Sequence, residues 1–526
     1  MTVQTIMGYC GNDKLLVKDI FDILKKKYPQ LQVISFPKTI IMHSNDLITI
    51  RSEDSITIYF PPMTNPKSHM NSFVEIDSMR CRIVRDYWGT HSIYYSYYRE
   101  GFVFSSEIRM LYLIVPNLFS KYDLSSIESI SCLGYIYSGV NTIYSDIKQL
   151  KRNYQIEFKN KKIIVNECKK DFVRYQFNNI LDAAECLKYT FQEIVNEAIN
   201  LSGNKAFLLS GGMDSSWLAI EASQKKKINT FTFESDNNKE DVYYANYLAK
   251  ILQSNHENIT FPNDILKELP SYIKSIESVE LEGIFSPLGG YAYYLLVKEI
   301  SNMGFDIVYI GEGADELFGG YYWPLTHAFG FVDKLHKQCE GSYLDKIISS
   351  IFRLPENNIR FRKKAYKMLQ GTALTNYHLN CIDHVAKEFG VISYLVFMDY
   401  RIIEIIKNVP IDWLCNGIDT KLMIRTILQK YLEEHNMMKL VNRKKLAMPS
   451  VIPKNDILKI IRLSDSTYHS CNHHYYNILG KKTINCFLFD ILHKYYTLDP
   501  LGQLDRLEWC LDLEKMVKKH EPIIHW

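Results

Sequence analysis

The stretch Leu208-Leu209-Ser210-Gly211-Gly212-Met213-Asp214-Ser215-Ser216 decides how this chain is read. It follows the apolar run Ala206 to Leu209, which fits a buried parallel strand, and precedes a helix-compatible apolar run from Trp217 to Ala222. A strand that turns through Ser-Gly-Gly into a helix offers free backbone N–H groups and the positive end of the helix dipole to an anion. The glycines let backbone approach a phosphate closely, and the Ser210, Ser215 and Ser216 hydroxyls add neutral donors. It is not a Walker loop, because no Gly-Lys-Ser/Thr follows a four-residue spacer. A carboxylate such as Asp214 belongs beside phosphates only with a bridging Mg²⁺. The plainer reading of the stretch alone is a Ser/Gly turn between two core elements.

A second run has the same construction: Ile307-Val308-Tyr309-Ile310-Gly311-Glu312-Gly313-Ala314-Asp315-Glu316-Leu317-Phe318-Gly319-Gly320-Tyr321. Again a strand feeds a glycine-rich turn that carries acids. Between the two runs lie a second strand, Ile228 to Phe233, and a helix that starts at Glu240-Asp241 with acids in its first turn, as the dipole favours. Alternating strands and helices predict a doubly wound parallel sheet with ligands at the carboxyl ends of its strands. From two such ends Asp214 and Asp315 can both reach one Mg²⁺ on a triphosphate.

The first loop resembles the pyrophosphate-binding loop (PP-loop) of ATP pyrophosphatases, and the pair of loops resembles the synthetase domain of the asparagine synthetase family. The resemblance implies ATP and Mg²⁺ as cofactors, with Asp214 and Asp315 as metal ligands. Leu209, Ser210, Gly211, Gly212, Asp214, Ser215, Ser216, Phe233, Ile310 and Gly311 are the expected nucleotide and pyrophosphate contacts, Phe233 at the height of the base. Glu312 is expected to face the reacting carboxylate or amine. Arg443-Lys444-Lys445-Leu446-Ala447-Met448-Pro449 resembles the family's Arg-x-Lys segment, which makes Lys445 the ammonium expected over the acyl-adenylate. A solvated basic loop is the plainer reading of that segment. Leu507-Glu508-Trp509 and Leu513-Glu514 echo the family's C-terminal helix, and residues from 325 onward read as mainly helical.

Residues 1 to about 165 read as β-rich, with short β-branched or aromatic runs at Gln32–Ile41, Leu47–Ile50, Ser55–Phe60, Arg80–Val84, Ser92–Tyr98 and Gly101–Phe104. Arg85-Asp86-Tyr87-Trp88-Gly89, a hairpin about Arg99-Glu100-Gly101 and Ser106-Glu107-Ile108-Arg109-Met110-Leu111 resemble the family's glutaminase-type domain. The resemblance implies an N-terminal-nucleophile (Ntn) hydrolase-like β-sandwich over 1–165 and an ATP pyrophosphatase-type domain with a helical end over 180–526, an α+β and α/β pair. Glutamine-hydrolysing members use a Cys exposed as first residue by Met removal. Here position 2 is Thr2, and Ile6-Met7-Gly8-Tyr9-Cys10-Gly11 is a displaced echo whose Cys10 is internal and cannot use its own α-amine as base. The N-terminal domain is therefore expected to be an inactive scaffold.

The substrate pocket departs as well. Members that act on free aspartate carry Glu-x-Arg-x-Pro-Phe-Leu-Asp, where this chain has Ile392-Ser393-Tyr394-Leu395-Val396-Phe397-Met398-Asp399. The arginine that would clamp a carboxylate with two hydrogen bonds is gone. Relatives with both losses include β-lactam, carbapenam and lasso-peptide macrolactam synthetases, whose amine is already on the substrate, although β-lactam-forming members carry Tyr where this chain has Glu312. The resemblance thus implies an ATP-dependent amide ligase that adenylates a carboxylate, releases pyrophosphate and joins the acyl group to a substrate-borne amine. An asparagine synthetase using ammonia or glutamine, and a non-catalytic ATP-binding member, are the alternatives.

Bulk composition sets the remaining expectations. The 526 residues are 47% hydrophobic and 23% charged, ordinary for a globular protein of two or more domains. A net charge of +3 gives no global reason to expect nucleic acid. Eleven scattered cysteines without a CxxC pair signal neither zinc nor a disulfide framework. The segment Met1 to Asp13 lacks a basic region followed by an apolar core, and no apolar run reaches membrane-spanning length. The expected setting is cytoplasmic, with a carboxylate- and amine-bearing small molecule or peptide as substrate, no membrane partner, and a homodimer or a biosynthetic partner protein as the assembly.

Overall fold

The computed structural model describes residues 5–442, apart from short stretches among residues 13–28, 46, 53, 62–70, 120–137, 170–171, 236–237 and 417–418 and the longer stretches 261–288 and 321–373. Thr2, Lys445 with its basic segment, and the C-terminal helix echo lie outside the described residues.

Two six-stranded antiparallel sheets fill the N-terminal part. One has the order Lys148–Gln149, Tyr94–Tyr98, Gly101–Ser105, Ile6–Gly11, Thr39–His43, Gln32–Phe36. The other runs Lys162–Glu167, Tyr154–Lys159, Arg80–Val84, Phe73–Asp77, Ser55–Tyr59, Ile48–Arg51. In Ser55–Tyr59 and Phe73–Asp77 buried and half-buried residues alternate, the period-two signature of a strand with one face in a core. That core joins the sheets: Ile6, Cys10, Ile41, Phe102 and Phe104 of the first meet Ile58, Val74, Cys81, Ile83 and Phe158 of the second. The run 32–41 is two strands rather than one, paired about Pro37-Lys38, because proline lacks the N–H that a continuous ladder needs. The hairpin at Arg99-Glu100 stands as expected, with Arg99 at φ +50°.

Cys10 lies wholly inside this core. Burial pushes its thiol well above the usual range, and the neighbouring Cys81 adds to the shift, so Cys10 is neither accessible nor ionised.

Asn179 opens the next part. Its side chain accepts from the N–H groups of Leu181 and Asp182, so the helix runs Ile180–Ile199. Five parallel strands follow in the order Asn255–Thr260, Asn229–Glu234, Lys205–Leu208, Ile307–Ile310, Ile392–Leu395. Alternate residues supply opposite faces. Ala206, Val308 and Ile310 pack with the helix Gly289–Asn302 and with Val385 and Ala386 of the helix Leu379–Phe389. Phe207, Leu209 and Tyr309 pack on the other side with Ile180–Ile199 and the helix Met213–Ser223. Helices on both faces make this a doubly wound sheet, and its order reverses between Lys205–Leu208 and Ile307–Ile310. The Ile392–Leu395 segment, read from the sequence as part of a substrate pocket in a helical region, is the fifth strand.

The expected Arg-Asp-x-x-Gly turn is the contact between these parts. Arg85 is fully buried, and its guanidinium donates to the carbonyls of His91, Leu150 and Gly89 and to Asn380 Oδ1. Asp86 accepts from the N–H groups of Trp88 and Thr90 and from the Ser72 hydroxyl, which closes the turn. Gly89 sits at φ +71°, where a side chain would be strained. Beside it the Asp383 carboxylate accepts from Lys387 Nζ at 2.7 Å, from His91 Nδ1 at 2.8 Å and from the Ser92 N–H at 3.1 Å. Among the described residues no helix is long and apolar enough to cross a membrane.

Candidate active site

The two acid-bearing loops meet where the strand order reverses. A Cβ placed on Gly311 would lie 3.2 Å from Asp214 Cβ and 3.3 Å from the Ser215 nitrogen, so the loops touch through that glycine. The first loop is held open at its mouth and tied at its root. Leu209 N–H donates to the Phe231 carbonyl at 2.8 Å, and the Ser215 hydroxyl contacts both the Ser210 hydroxyl and the Ser210 N–H. Gly211 takes φ +67°, and a Cβ there would sit 2.5 Å from the Asp241 carbonyl oxygen, so only glycine fits. Gly212 begins the helix Met213–Ser223 without a side-chain cap, which leaves N–H groups of its first turn directed at the loop.

Asp214 and Asp315, the expected metal ligands, do converge, and the structure adds a residue between them. Lys421 Nζ lies 2.5 Å from Asp214 Oδ2 and 2.6 Å from Asp315 Oδ1, with its side chain 3% exposed. Lys421 stands at the start of the helix Leu422–Glu434, at φ +56°, and its N–H donates to the Phe318 carbonyl. Gly320 makes room for this contact: a Cβ there would fall 1.9 Å from Asp315 Oδ1 and 2.3 Å from Lys421 Cε. Asp214 Oδ1 is buried and has no hydrogen-bond partner among the described residues. An oxygen left over beside a second carboxylate suits a divalent cation, so the pair fits Mg²⁺.

Glu312 is partly exposed at the head of the second loop and pairs with His378 Nδ1 at 2.9 Å. Burial holds the Tyr293 phenol well above its usual range, and the nearby Glu312 carboxylate adds to that. Tyr293 in turn contacts the Ser393 hydroxyl at 2.6 Å. Ser393 belongs to a pocket lined by Phe60, Thr90 and His91 on one side and by Asp383, Tyr394, Met398 and Tyr400 on the other. The Met398 methyl packs directly over Gly313, so this pocket abuts the second loop. Tyr394, where aspartate-using members carry the arginine, is buried with its ring 5.2 Å from that of Tyr309. It serves the core and offers no cation to a carboxylate.

Phe233, expected beside the base, is 5% exposed and packs in the core with Ala206 and Phe231, one residue before its strand ends. Ser216 and Ile310 are buried as well. The structure thus brings Gly311 against Asp214 and Ser215 of the first loop, and adds Lys421 between Asp214 and Asp315 and His378 beside Glu312. No local pattern marks those two in the sequence, since each is a single residue far along the chain from the loop it meets.

The asparagine synthase family model matches residues 187–474, more than half of the chain. The chain belongs to that family. Among its relatives, asparagine synthetase (glutamine-hydrolyzing) 2 of Bacillus subtilis is 24% identical over 371 residues, covering 62% of this chain and 49% of that protein. A Methanocaldococcus jannaschii protein provisionally named asparagine synthetase (glutamine-hydrolyzing) 1 is 25% identical over 344 residues, 63% of this chain and 54% of its own. The chain therefore spans about half the length of the curated relatives it matches. The NMN synthetase structure from Francisella tularensis is 15% identical and covers 41% of this chain and 94% of its own at a TM-score of 0.21, too low to bear on the site.

Proposed function

We propose that this family member is an ATP-dependent amide ligase that adenylates a substrate carboxylate, releases pyrophosphate and passes the acyl group to an amine carried by the substrate. The observation that carries the reading is the convergence of Asp214 and Asp315, from two loops at a sheet's switch point, around one cation. The Ser210–Ser215 loop and the helix start behind it would bind the β- and γ-phosphates as an anion. Asp214 and Asp315 would hold Mg²⁺, which would offset phosphate charge, and the Lys421 ammonium beside them would add a second positive charge there. Catalysis in such a site is mostly positioning and charge stabilisation. The carboxylate of the substrate attacks the α-phosphorus, pyrophosphate leaves, and the amine nitrogen then displaces AMP from the acyl carbon, with its proton passing to a base such as Glu312.

Two features support a substrate-borne amine over free aspartate with glutamine. Tyr394 and Ile392 stand where aspartate-using members place Arg and Glu, and Cys10 is sealed in a core. Lys445 is proposed to steady the adenylate, and Lys445→Ala is expected to leave ATP binding largely intact while slowing turnover by about 10²-fold, the scale of one preorganised charge. Unchanged turnover would remove Lys445 from the mechanism.

The reading is tested by incubating the purified protein with ATP, Mg²⁺ and aspartate, with either ammonium or glutamine, and following asparagine, AMP and pyrophosphate by mass spectrometry. No asparagine from either nitrogen source is expected. AMP and pyrophosphate are expected to appear once carboxylates bearing their own amine are supplied. Asparagine from ammonium or from glutamine would make the chain an asparagine synthetase instead.

A further inference from the structure

Next to the aspartate pair lies a second set of ligand atoms, which includes the Glu312 carboxylate proposed above as a base. Glu312 and Glu316 lie four residues apart, on either side of the turn at Gly313, which takes φ +87°. His378 reaches them from a separate segment, the last residue of a π-helical turn Leu374–His378. Such turns break the regular helix ladder and often occur at functional sites. One ligand atom from each residue lies within 4.8 Å of the others, and His378 Nδ1 is 2.9 Å from Glu312 Oε1.

We propose that Glu312, Glu316 and His378 form a second divalent-cation site, distinct from the Asp214–Asp315 pair and suited to a first-row transition ion such as Mn²⁺ or Zn²⁺. Metal bonds of about 2.1 Å place adjacent donors about 3 Å apart, which the His378–Glu312 pair already satisfies. The third donor needs only a side-chain adjustment to close from within 4.8 Å. One imidazole with two carboxylates favours Mn²⁺ or Zn²⁺ over Mg²⁺, which prefers oxygen and retains its waters. Glu312 and His378 are both part-exposed, so an ion can enter from the cleft.

The test uses the full chain, stripped with chelator and free of ATP, titrated with Mn²⁺ and followed by the loss of the free-ion EPR signal. Wild type is expected to bind a Mn²⁺ that Zn²⁺ displaces. His378→Ala and the near-isosteric Glu316→Gln are expected to weaken that binding by roughly tenfold or more, with circular dichroism showing that each variant is folded. Asp315→Asn is expected to retain it. The proposal is overturned if the ATP-free chain binds no Mn²⁺, if both variants bind it as wild type does, or if binding vanishes in Asp315→Asn but survives in His378→Ala. None of these results depends on the ligase reading. Pyrophosphate release from ATP by a chain that binds no Mn²⁺ here would leave that reading intact and this one refuted.

Discussion

Replacing Lys421 with methionine is expected to cost about 3–5 kcal/mol of stability and to make the protein gain more from millimolar Mg²⁺ than the wild type does. The ammonium lies 2.5 Å from Asp214 and 2.6 Å from Asp315 with almost no access to water. Methionine fills nearly the same volume, so the change removes charge rather than packing. What remains is two carboxylates facing each other in a buried cleft, each having lost the partner that offset its desolvation. A dication can replace that partner, and Asp214 Oδ1 already lacks a hydrogen bond among the described residues. In the wild type Mg²⁺ must displace an ammonium; in the variant it meets only repelling oxygens. Thermal melting with and without Mg²⁺ checks both statements. A melting temperature that does not fall, or a Mg²⁺ shift equal in the two proteins, defeats the idea that Lys421 and the metal answer to the same pair of acids.

That lysine also marks the limit of what the sequence discloses. The Ser210–Ser216 loop and the Gly311–Asp315 turn are legible because each is a local pattern: an apolar strand, glycines that only a tight turn explains, and an acid next to them. The reversal of strand order follows from the same alternation of strands and helices. Lys421 carries no such pattern, being one cation at a helix start, and its role exists only because Gly320 lets it approach Asp315 from another part of the chain. His378 is hidden for the same reason, and Glu316 stood in the quoted run without a reason to single it out. The strand Ile392–Leu395 escaped because it is four residues long and bounded by neither glycine nor proline on its C-terminal side. The split of Gln32–Ile41 was signalled by Pro37, a residue with a known effect on ladders, and went unused.

The second large effect is expected at Asp383, in the contact between the Arg85–Ser92 segment and the helix Leu379–Phe389. Burial alone would raise its carboxyl, but Lys387 and His91 beside it more than offset that and hold it well below the usual carboxylate range. A depressed folded-state carboxyl contributes stability that is present above the unfolded value and lost as pH falls through the folded one. The contact between Arg85–Ser92 and the helix Leu379–Phe389 should therefore persist through mild acid and give way only in strong acid. Asp383→Asn keeps the shape and removes the charge, leaving the Lys387 ammonium 1% exposed without its anion. The expected loss is about 3–5 kcal/mol by urea denaturation. Adding Lys387→Met to that variant should restore most of it, since a buried pair can often be exchanged for apolar groups at little net cost. Recovery in the double variant would identify the loss as an uncompensated charge; a double variant as unstable as Asp383→Asn would mean that the hydrogen bonds from His91 and Ser92 hold the contact instead. Either way the pocket beside the second loop is affected, because His91 and Asp383 form part of its wall.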